Sequence, residues 1–339
     1  MTAQSLASAA PTPLVSSLDA ARDYVASEMN EVNGVILDRL QSEVSLIPQL
    51  ARHLIAAGGK RIRPTLTLLS ARLCEYYGVH HVGLAAAVEF IHTATLLHDD
   101  VVDHSDLRRG SATANAVFGN KSAVLVGDFL FSRAFQLMVS AGNLRVLEIL
   151  SSASAIIAEG EVAQLITAND TSTDEAAYMH VIRAKTAALF EAACQIAPVI
   201  AERGPEDEAA LAAYGASLGI AFQLVDDALD YSAAQALLGK TVGDDFRDGK
   251  ITLPIVFAIA EASTAEQAFW QRTLEEGDQR DGDLTEAQRI LKRHRAVERT
   301  IDRAYAFGED AKLQLDRFQN YEARNIMSDL VDFAVQRAY

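Results

Sequence analysis

Apolar residues along this chain recur with the spacing of helices, not of strands. Over 82–103 they are nearly continuous up to an acidic end, as in a helix buried on most sides. Residues 122–139 repeat that pattern. Gly142-Asn143 makes a short break, and the next helical run covers 144–168. Further runs are expected over about 174–201, 205–231, 253–261, 284–306 and 323–338. Alternation bounded by turn pairs, the mark of strands, is absent. Gly58-Gly59 separates two helical runs. Asn169 to Thr173 is a polar break, with Thr173 the expected N-cap for the run that begins at Asp174. Pro205 suits a first-turn position, and 277–283 is the most polar loop. No linker divides the chain and no repeat of 20–50 residues occurs. The expectation is an all-α protein, one large helical bundle over 17–339, with residues 1–16 a disordered lead-in.

Composition strengthens this. There are 58 alanines and 7 prolines in 339 residues. Alanine has the highest helix propensity, and proline interrupts helices. Charge narrows the partners. Against 30 basic residues stand 46 acidic ones, a formal net charge of −16. Nucleic acid and anionic lipid both require a basic face, so neither is expected as a tight partner. Cys74 and Cys194 are too few for a disulfide framework and read as core packing, which fits a reducing, cytoplasmic setting. The first 16 residues contain no basic residue and no long apolar core, unlike a secretory or transit peptide. No continuous apolar run approaches the roughly 20 residues of a membrane span.

The sharpest feature is a repeated acidic cluster. Leu96-Leu97-His98-Asp99-Asp100-Val101-Val102-Asp103 is echoed by Gln223-Leu224-Val225-Asp226-Asp227-Ala228-Leu229-Asp230. Both read D-D-x-x-D at the C-terminal end of an apolar helical run. On a helix, Asp99 and Asp103 lie about 40° apart around the axis and about 6 Å along it. Three carboxylates in that space repel one another, and the helix C-terminus disfavours them further. Folding does not ask for them there. A divalent cation removes both penalties, and Mg²⁺ typically takes one or two carboxylates plus phosphate oxygens and water. A pair of solvated acidic helix ends is the simpler explanation for one cluster, and a weak one for two.

Basic clusters stand out against this acidity. Gly58-Gly59-Lys60-Arg61-Ile62-Arg63-Pro64 opens a helix, and Arg108-Arg109-Gly110 begins five residues past the first acidic cluster. Arginine forks match phosphate oxygens, lysine adds a point charge, and glycine lets the backbone approach an anion. Alone, Lys60 to Arg63 suits a solvated helix start, and Arg108-Arg109 suits neutralisation of Asp103 and Asp106. Beside metal-binding carboxylates, two basic clusters point to two diphosphates. Lys185-Thr186 lies inside a helical run. Lys240 and Lys250 flank a second acidic loop; solvation at the surface suits Lys250 better than Lys240.

Taken together, the chain resembles the trans-polyprenyl diphosphate synthase family, from about Asp19 to Arg337. The likeness rests on G-G-K-R-I-R-P at 58–64, H-D-D-V-V-D-H-S-D-L-R-R-G at 98–110 and A-E-G-E-V-A-Q-L at 158–165. It continues with K-T at 185–186, F-Q-L-V-D-D-A-L-D-Y at 222–231 and G-K-T-V-G-D-D-F-R-D-G-K at 239–250. The wording is closest to the octaprenyl/decaprenyl branch that supplies quinone side chains, including that of ubiquinone. The resemblance implies an isoprenoid-synthase-like bundle around a central cavity. It implies Mg²⁺, three ions per site, held by Asp99, Asp103 and Asp226 with Asp100, Asp227 and Asp230 in support. Arg108, Lys185 and Lys240 would hold the allylic diphosphate, farnesyl or geranylgeranyl. Lys60, Arg63, His92 and Arg109 would hold isopentenyl diphosphate. Gln164 and Gln223 would line the allylic site, with Thr186 nearby. The family often ends in a basic tail; here the end is Gln336-Arg337-Ala338-Tyr339, so a role for Arg337 has little motif support.

Product length is expected to depend on Ala94 and Thr95, just before the first cluster. The resemblance implies that short-chain relatives carry aromatics there, whereas Ala94 leaves the path open for a long tail. Eight to ten isoprene units extend about 40–50 Å, while a 25-residue helix spans about 37 Å. The tail must fold, leave the bundle or follow a subunit boundary, so a homodimer is expected, with transient membrane contact as the product leaves. Four other readings compete. A short-chain (C15–C20) synthase would stop the product early. An HD-type metal phosphohydrolase has only His98-Asp99 in its favour. A terpene cyclase or head-to-head condensing enzyme would not need the second basic set. A non-catalytic prenyl-binding subunit would have lost acidic-cluster aspartates, and both clusters are complete.

Overall fold

The computed structural model describes residues 14–56, 59–108, 110–232 and 242–336. Its first half runs α1 (Leu14–Tyr24), α2 (Ala26–Arg39), α3 (Leu46–Ala56), α4 (Ile62–Leu73), α5 (His80–Val102), α6 (Ala114–Phe118), α7 (Asn120–Ser140) and α8 (Leu144–Thr167). The second half runs α9 (Glu175–Ile182), α10 (Ala188–Ile200), α11 (Pro205–Asp230), α12 (Asp244–Arg247), α13 (Leu253–Ala260), α14 (Thr264–Trp270), α15 (Asp283–Arg293), α16 (Ala296–Leu315) and α17 (Tyr321–Gln336). The all-α expectation holds. One exception is a hairpin of two-residue strands, β1 (Leu107–Arg108) and β2 (Ser111–Ala112), turned by Gly110 at φ 77°.

Several boundaries differ from the expected ones. The run expected over 174–201 is α9, a five-residue π-helical segment (Arg183–Ala187) and α10. Asp174, not Thr173, caps α9, because its carboxylate accepts the Ala177 N–H at 2.8 Å. The run over 284–306 breaks at Arg295, which adopts left-handed φ 50° between α15 and α16. Helix α1 begins at Leu14, three residues inside the expected lead-in; residues 1–13 lie outside the described ones.

Two apolar clusters hold the bundle. One joins α1–α8, α10, the N-terminal half of α11, the end of α16 and α17; the other joins α9, the C-terminal half of α11 and α12–α16. They meet where α10 packs along α11. Glycine permits that approach: a Cβ on Gly215 would stand 2.4 Å from the Phe190 carbonyl oxygen. Cys74 and Cys194 are buried and free, and burial pushes both thiols up to about 12, as core residues require.

Helices α7, α8 and α11 correct one expectation. By length and composition alone, each is apolar enough to cross a membrane. Charges interrupt the apolar run in each, such as Asp128 in α7 and Glu161 in α8, and hide that length from a search for continuous apolar residues. The bundle buries 56% of the apolar window of α11, against 39% for α7 and 28% for α8. An apolar face with Leu125, Phe135, Val139, Ile156 and Leu165 is therefore left exposed on α7 and α8.

Candidate active site

A cavity of about 570 Å³ lies between the ends of α5 and α11, walled by α8, the π-helical segment and α10. Helix α5 presents His92, Thr95, Asp99 and Asp103 to it, residues spaced so that they share a stripe. Beyond α5, His104 turns the chain in left-handed conformation (φ 51°), and the β1–β2 hairpin brings Arg108 back over the helix end. Asp100 is only 4% exposed and grips Arg108, which donates to it through Nε at 2.8 Å and through Nη2 at 2.7 Å. Asn115 donates to the backbone carbonyls of Asp100 and Ser105, both at 3.1 Å, and so fixes the turn.

Asp99 is partly buried, and that burial pushes its carboxyl up to about 7. Lys185 opposes the shift, while Glu161 and Asp103 reinforce it. Lys185 donates to Glu161 and to the Gln164 side-chain oxygen, both at 2.7 Å. Gly160 makes this geometry possible. A Cβ there would meet the Ala184 Cβ at 2.7 Å and the Lys185 backbone nitrogen at 2.8 Å. The π-helical segment that carries Lys185 and Thr186 is the kind of local widening often found at functional sites.

Across the cavity, Asp226 and Asp227 line the wall from α11. Asp227 accepts from the Tyr178 hydroxyl at 2.5 Å and from Gln223 at 2.7 Å, and Gln223 accepts from Thr186 at 2.9 Å. Burial still raises its carboxyl to about 7; those hydrogen bonds oppose the rise, and Asp226 and Asp230 add to it. Asp230 does not line the cavity. It accepts the backbone N–H groups of Asp244 (3.2 Å) and Asp245 (3.0 Å), which fastens the start of α12.

The basic side chains sit around the same space. Lys60 lines it, with its ammonium 5.6 Å from the Phe333 ring centre. Arg63 donates to His92 Nε2 at 3.1 Å and lies 4.5 Å from the Phe190 ring centre. Lys250, expected to be solvated, instead lines the cavity 3.7 Å from Asp103. Burial opposes its charge, but Asp245, Asp103 and Asp248 outweigh it, and its pKa is raised. Sequence reasoning also assigned no role to Glu161, Asp245 or Tyr178. Glu161 and Asp245 fell inside the matched motifs; Tyr178 meets Asp227 only through the fold. Arg109, Lys240 and Arg337 lie outside the described residues.

One expectation changes. Ala94 is fully buried in the packed core and does not line the cavity, whereas Thr95 does. Five helical residues rotate Ala94 about 140° away from Asp99. The pair His98-Asp99, the sole support for the competing phosphohydrolase reading, does not converge on one site. His98 Nε2 lies 3.2 Å from the Val124 carbonyl, and the ring stacks on Phe131 away from the cavity.

Among the described residues no three His, Cys, Asp or Glu side chains gather tightly enough to hold an ion alone. The carboxylates stand in separate groups on facing walls, and burial makes charge unfavourable on Asp99 and Asp227. That donor set fits Mg²⁺ completed by phosphate oxygens and water.

The model of the polyprenyl synthetase family matches residues 44–291. The chain belongs to this family. Among curated members, octaprenyl diphosphate synthase of Escherichia coli (strain K12) is 48% identical over 321 residues, 94% of this chain and 99% of that one. The crystal structure of a decaprenyl diphosphate synthase from Rhodobacter capsulatus superposes with a TM-score of 0.91 at 50% identity, covering 95% of this chain and 99% of that one. A polyprenyl synthase from Caulobacter crescentus CB15, complexed with calcium and isoprenyl diphosphate, also gives 0.91 at 48% identity, with 95% and 98% covered. This polyprenyl synthetase family depends on divalent metal and acts on isoprenyl diphosphates.

Proposed function

We propose that the protein condenses isopentenyl diphosphate head-to-tail onto an allylic diphosphate, farnesyl or geranylgeranyl. The product is a long all-trans polyprenyl diphosphate of eight to ten units, about 40–50 carbons, for a quinone side chain such as that of ubiquinone. The observation that carries this is the pairing of two carboxylate walls with several cations around one cavity that is also lined by apolar side chains such as Leu96, Leu189 and Phe222. The similar octaprenyl and decaprenyl synthases support the long-chain assignment.

Asp99, Asp103 and Asp226 would hold Mg²⁺, three ions per site, with Asp100, Asp227 and Asp230 supporting. When bound, the metal withdraws charge from the leaving diphosphate. Lys185, Arg108, Lys250 and, outside the described residues, Lys240 take up charge on the allylic diphosphate as its C1–O bond breaks. Lys60, Arg63, His92 and Arg109 hold isopentenyl diphosphate so that its alkene faces C1. Phe90, Leu96, Leu189, Phe190 and Phe222 keep water from the allylic cation. A carbon–carbon bond forms at C1, and the proton lost from the isopentenyl unit passes to an oxygen of the departing diphosphate. Gln164, Gln223 and Thr186 fix the side chains that frame this exchange.

A homodimer joined through the exposed apolar face of α7 and α8 would cover surface that one chain leaves open. A cytoplasmic enzyme that touches a membrane transiently to release its product fits the acidic surface and apolar product. The test is incubation with Mg²⁺, labelled isopentenyl diphosphate and farnesyl diphosphate, followed by separation of the product alcohols by length. Products of 40–50 carbons are expected. No incorporation would sink the synthase reading, and a stop at about 20 carbons would sink the long-chain assignment.

A further inference from the structure

Three hydroxyl residues in succession precede α9. The Thr171 hydroxyl donates to Glu275, and the Ser172 backbone and hydroxyl both donate to Asp170, at 2.9 and 2.6 Å. Thr173 differs. It is 7% exposed, its Oγ1 has no hydrogen-bond partner, and of the three it alone lines the cavity. Because Asp174 caps the helix, the Thr173 hydroxyl has no capping role. A buried hydroxyl without a partner is unfavourable unless a ligand or water completes it.

Its surroundings indicate which ligand. Thr173 immediately precedes Asp174, the N-cap of the helix that carries Tyr178. The Tyr178 hydroxyl bonds Asp227 directly. The loop that carries Thr173 is also tied to the loop after α12. Asn169 donates its backbone N–H to the Gly249 carbonyl at 3.1 Å, next to Lys250. The hydroxyl therefore sits on the side of the cavity that belongs to the second acidic cluster. Mg²⁺ dehydrates reluctantly and keeps several waters, each needing acceptors for its hydrogens.

We propose that Thr173 is a positioning residue whose hydroxyl accepts a hydrogen bond from a water in the shell of the metal ion held at Asp226. This rests on the metal-dependent synthase reading above. The residue touches the ion through water, not directly, so it fixes the coordinated water and tunes the ion's affinity rather than providing a ligand.

Thr173→Val keeps the shape of the side chain and removes the hydroxyl, while Thr173→Ser keeps the hydroxyl. Full-length proteins are titrated with Mn²⁺ in saturating inorganic diphosphate, with bound ion read by electron paramagnetic resonance. Thr173→Val should weaken Mn²⁺ binding about three- to tenfold, the loss of one hydrogen bond, and Thr173→Ser should bind like wild type. Equal affinity in wild type and Thr173→Val overturns the proposal, as does a Ser variant as weak as the Val variant. Should Thr173→Val not fold, a crystal structure of wild type with Mg²⁺ and inorganic diphosphate decides. A metal-bound water within hydrogen-bond distance of Thr173 Oγ1 supports the assignment, and its absence overturns it. If wild type binds no Mn²⁺ under these conditions, the synthase reading itself fails.

Discussion

At the end of α5, Asp99, Asp100 and Asp103 all border the cavity, and the buried Asp100 is also committed to Arg108. At the end of α11, Asp226 and Asp227 face the cavity, and the last aspartate, Asp230, is committed to the backbone of α12. The same D-D-x-x-D lettering thus distributes its roles differently on the two walls. In each cluster one carboxylate is taken up by the segment after the helix, and in the second Asp227 is held as well, by Tyr178 and Gln223. Helix α5 leads into a hairpin that returns an arginine; α11 leads toward a short helix that presents its N–H groups. A motif specifies which residues are available, and the connecting chain decides their use.

Substitution tests that difference most strongly. Asp99→Asn should lower kcat/KM by about 10²–10³, the scale of losing one group that stabilises developing charge. Its thermal stability should hold or rise, because a carboxyl disfavoured by burial is neutralised. Asp230→Asn should lose stability by about 1–3 kcal/mol as the α12 N–H groups lose a charged acceptor. Its activity should fall less than that of Asp99→Asn. Denaturation curves and initial rates on both variants check this; matching profiles would erase the distinction between the two clusters.

Chain length gives the next largest effect. Thr95→Phe places an aromatic ring in the cavity beneath the first cluster and should shift products toward about 15–20 carbons, while the second wall is untouched. Ala94→Phe should instead overpack the core and reduce stability by about 1–3 kcal/mol. Product chromatography beside melting curves separates the two outcomes.

The smallest effect is on pH. Asp99 and Asp227 have carboxyls raised to about 7, above their value of 3.8 when unfolded. The folded protein therefore binds more protons than the unfolded chain between pH 4 and 7. The resulting stabilisation is complete below pH 4 and is lost as pH rises through 7. For these groups, metal-free protein should melt higher at pH 5.5 than at pH 8. Asp99→Asn and Asp227→Asn should each flatten that slope, as scanning calorimetry at the two pH values would show.

Much of this was legible in the chain. The long runs that became α5, α7, α8 and α11 announced themselves because buried helices of a large bundle are apolar on most sides. The amphipathic helices α1–α3 did not, since their apolar residues are sparser and their polar ones resemble a loop. Helix α14 gave only a short signal, although Ser263 and Glu266 form a capping box that marks its start. For the site, both acidic clusters and most cations were visible as motifs. Lys250 looked solvated because its sequence neighbours, Asp248 and Gly249, resemble a surface turn. Tyr178 gave no local signal, because its partner Asp227 is 49 residues away and meets it only after folding.

Gly160 has a consequence for how sequences of this kind can drift. It takes no part in the chemistry, yet the space it leaves empty is filled by Ala184 and the backbone of Lys185. A larger residue at 160 would push that lysine away from Glu161 and Gln164 unless its neighbour shrank or the π-helical segment shifted. Positions 160 and 184 are therefore not free to vary separately. Related chains that enlarge one should show a compensating change at the other, a pairwise record of helix spacing carried by two residues that touch no substrate.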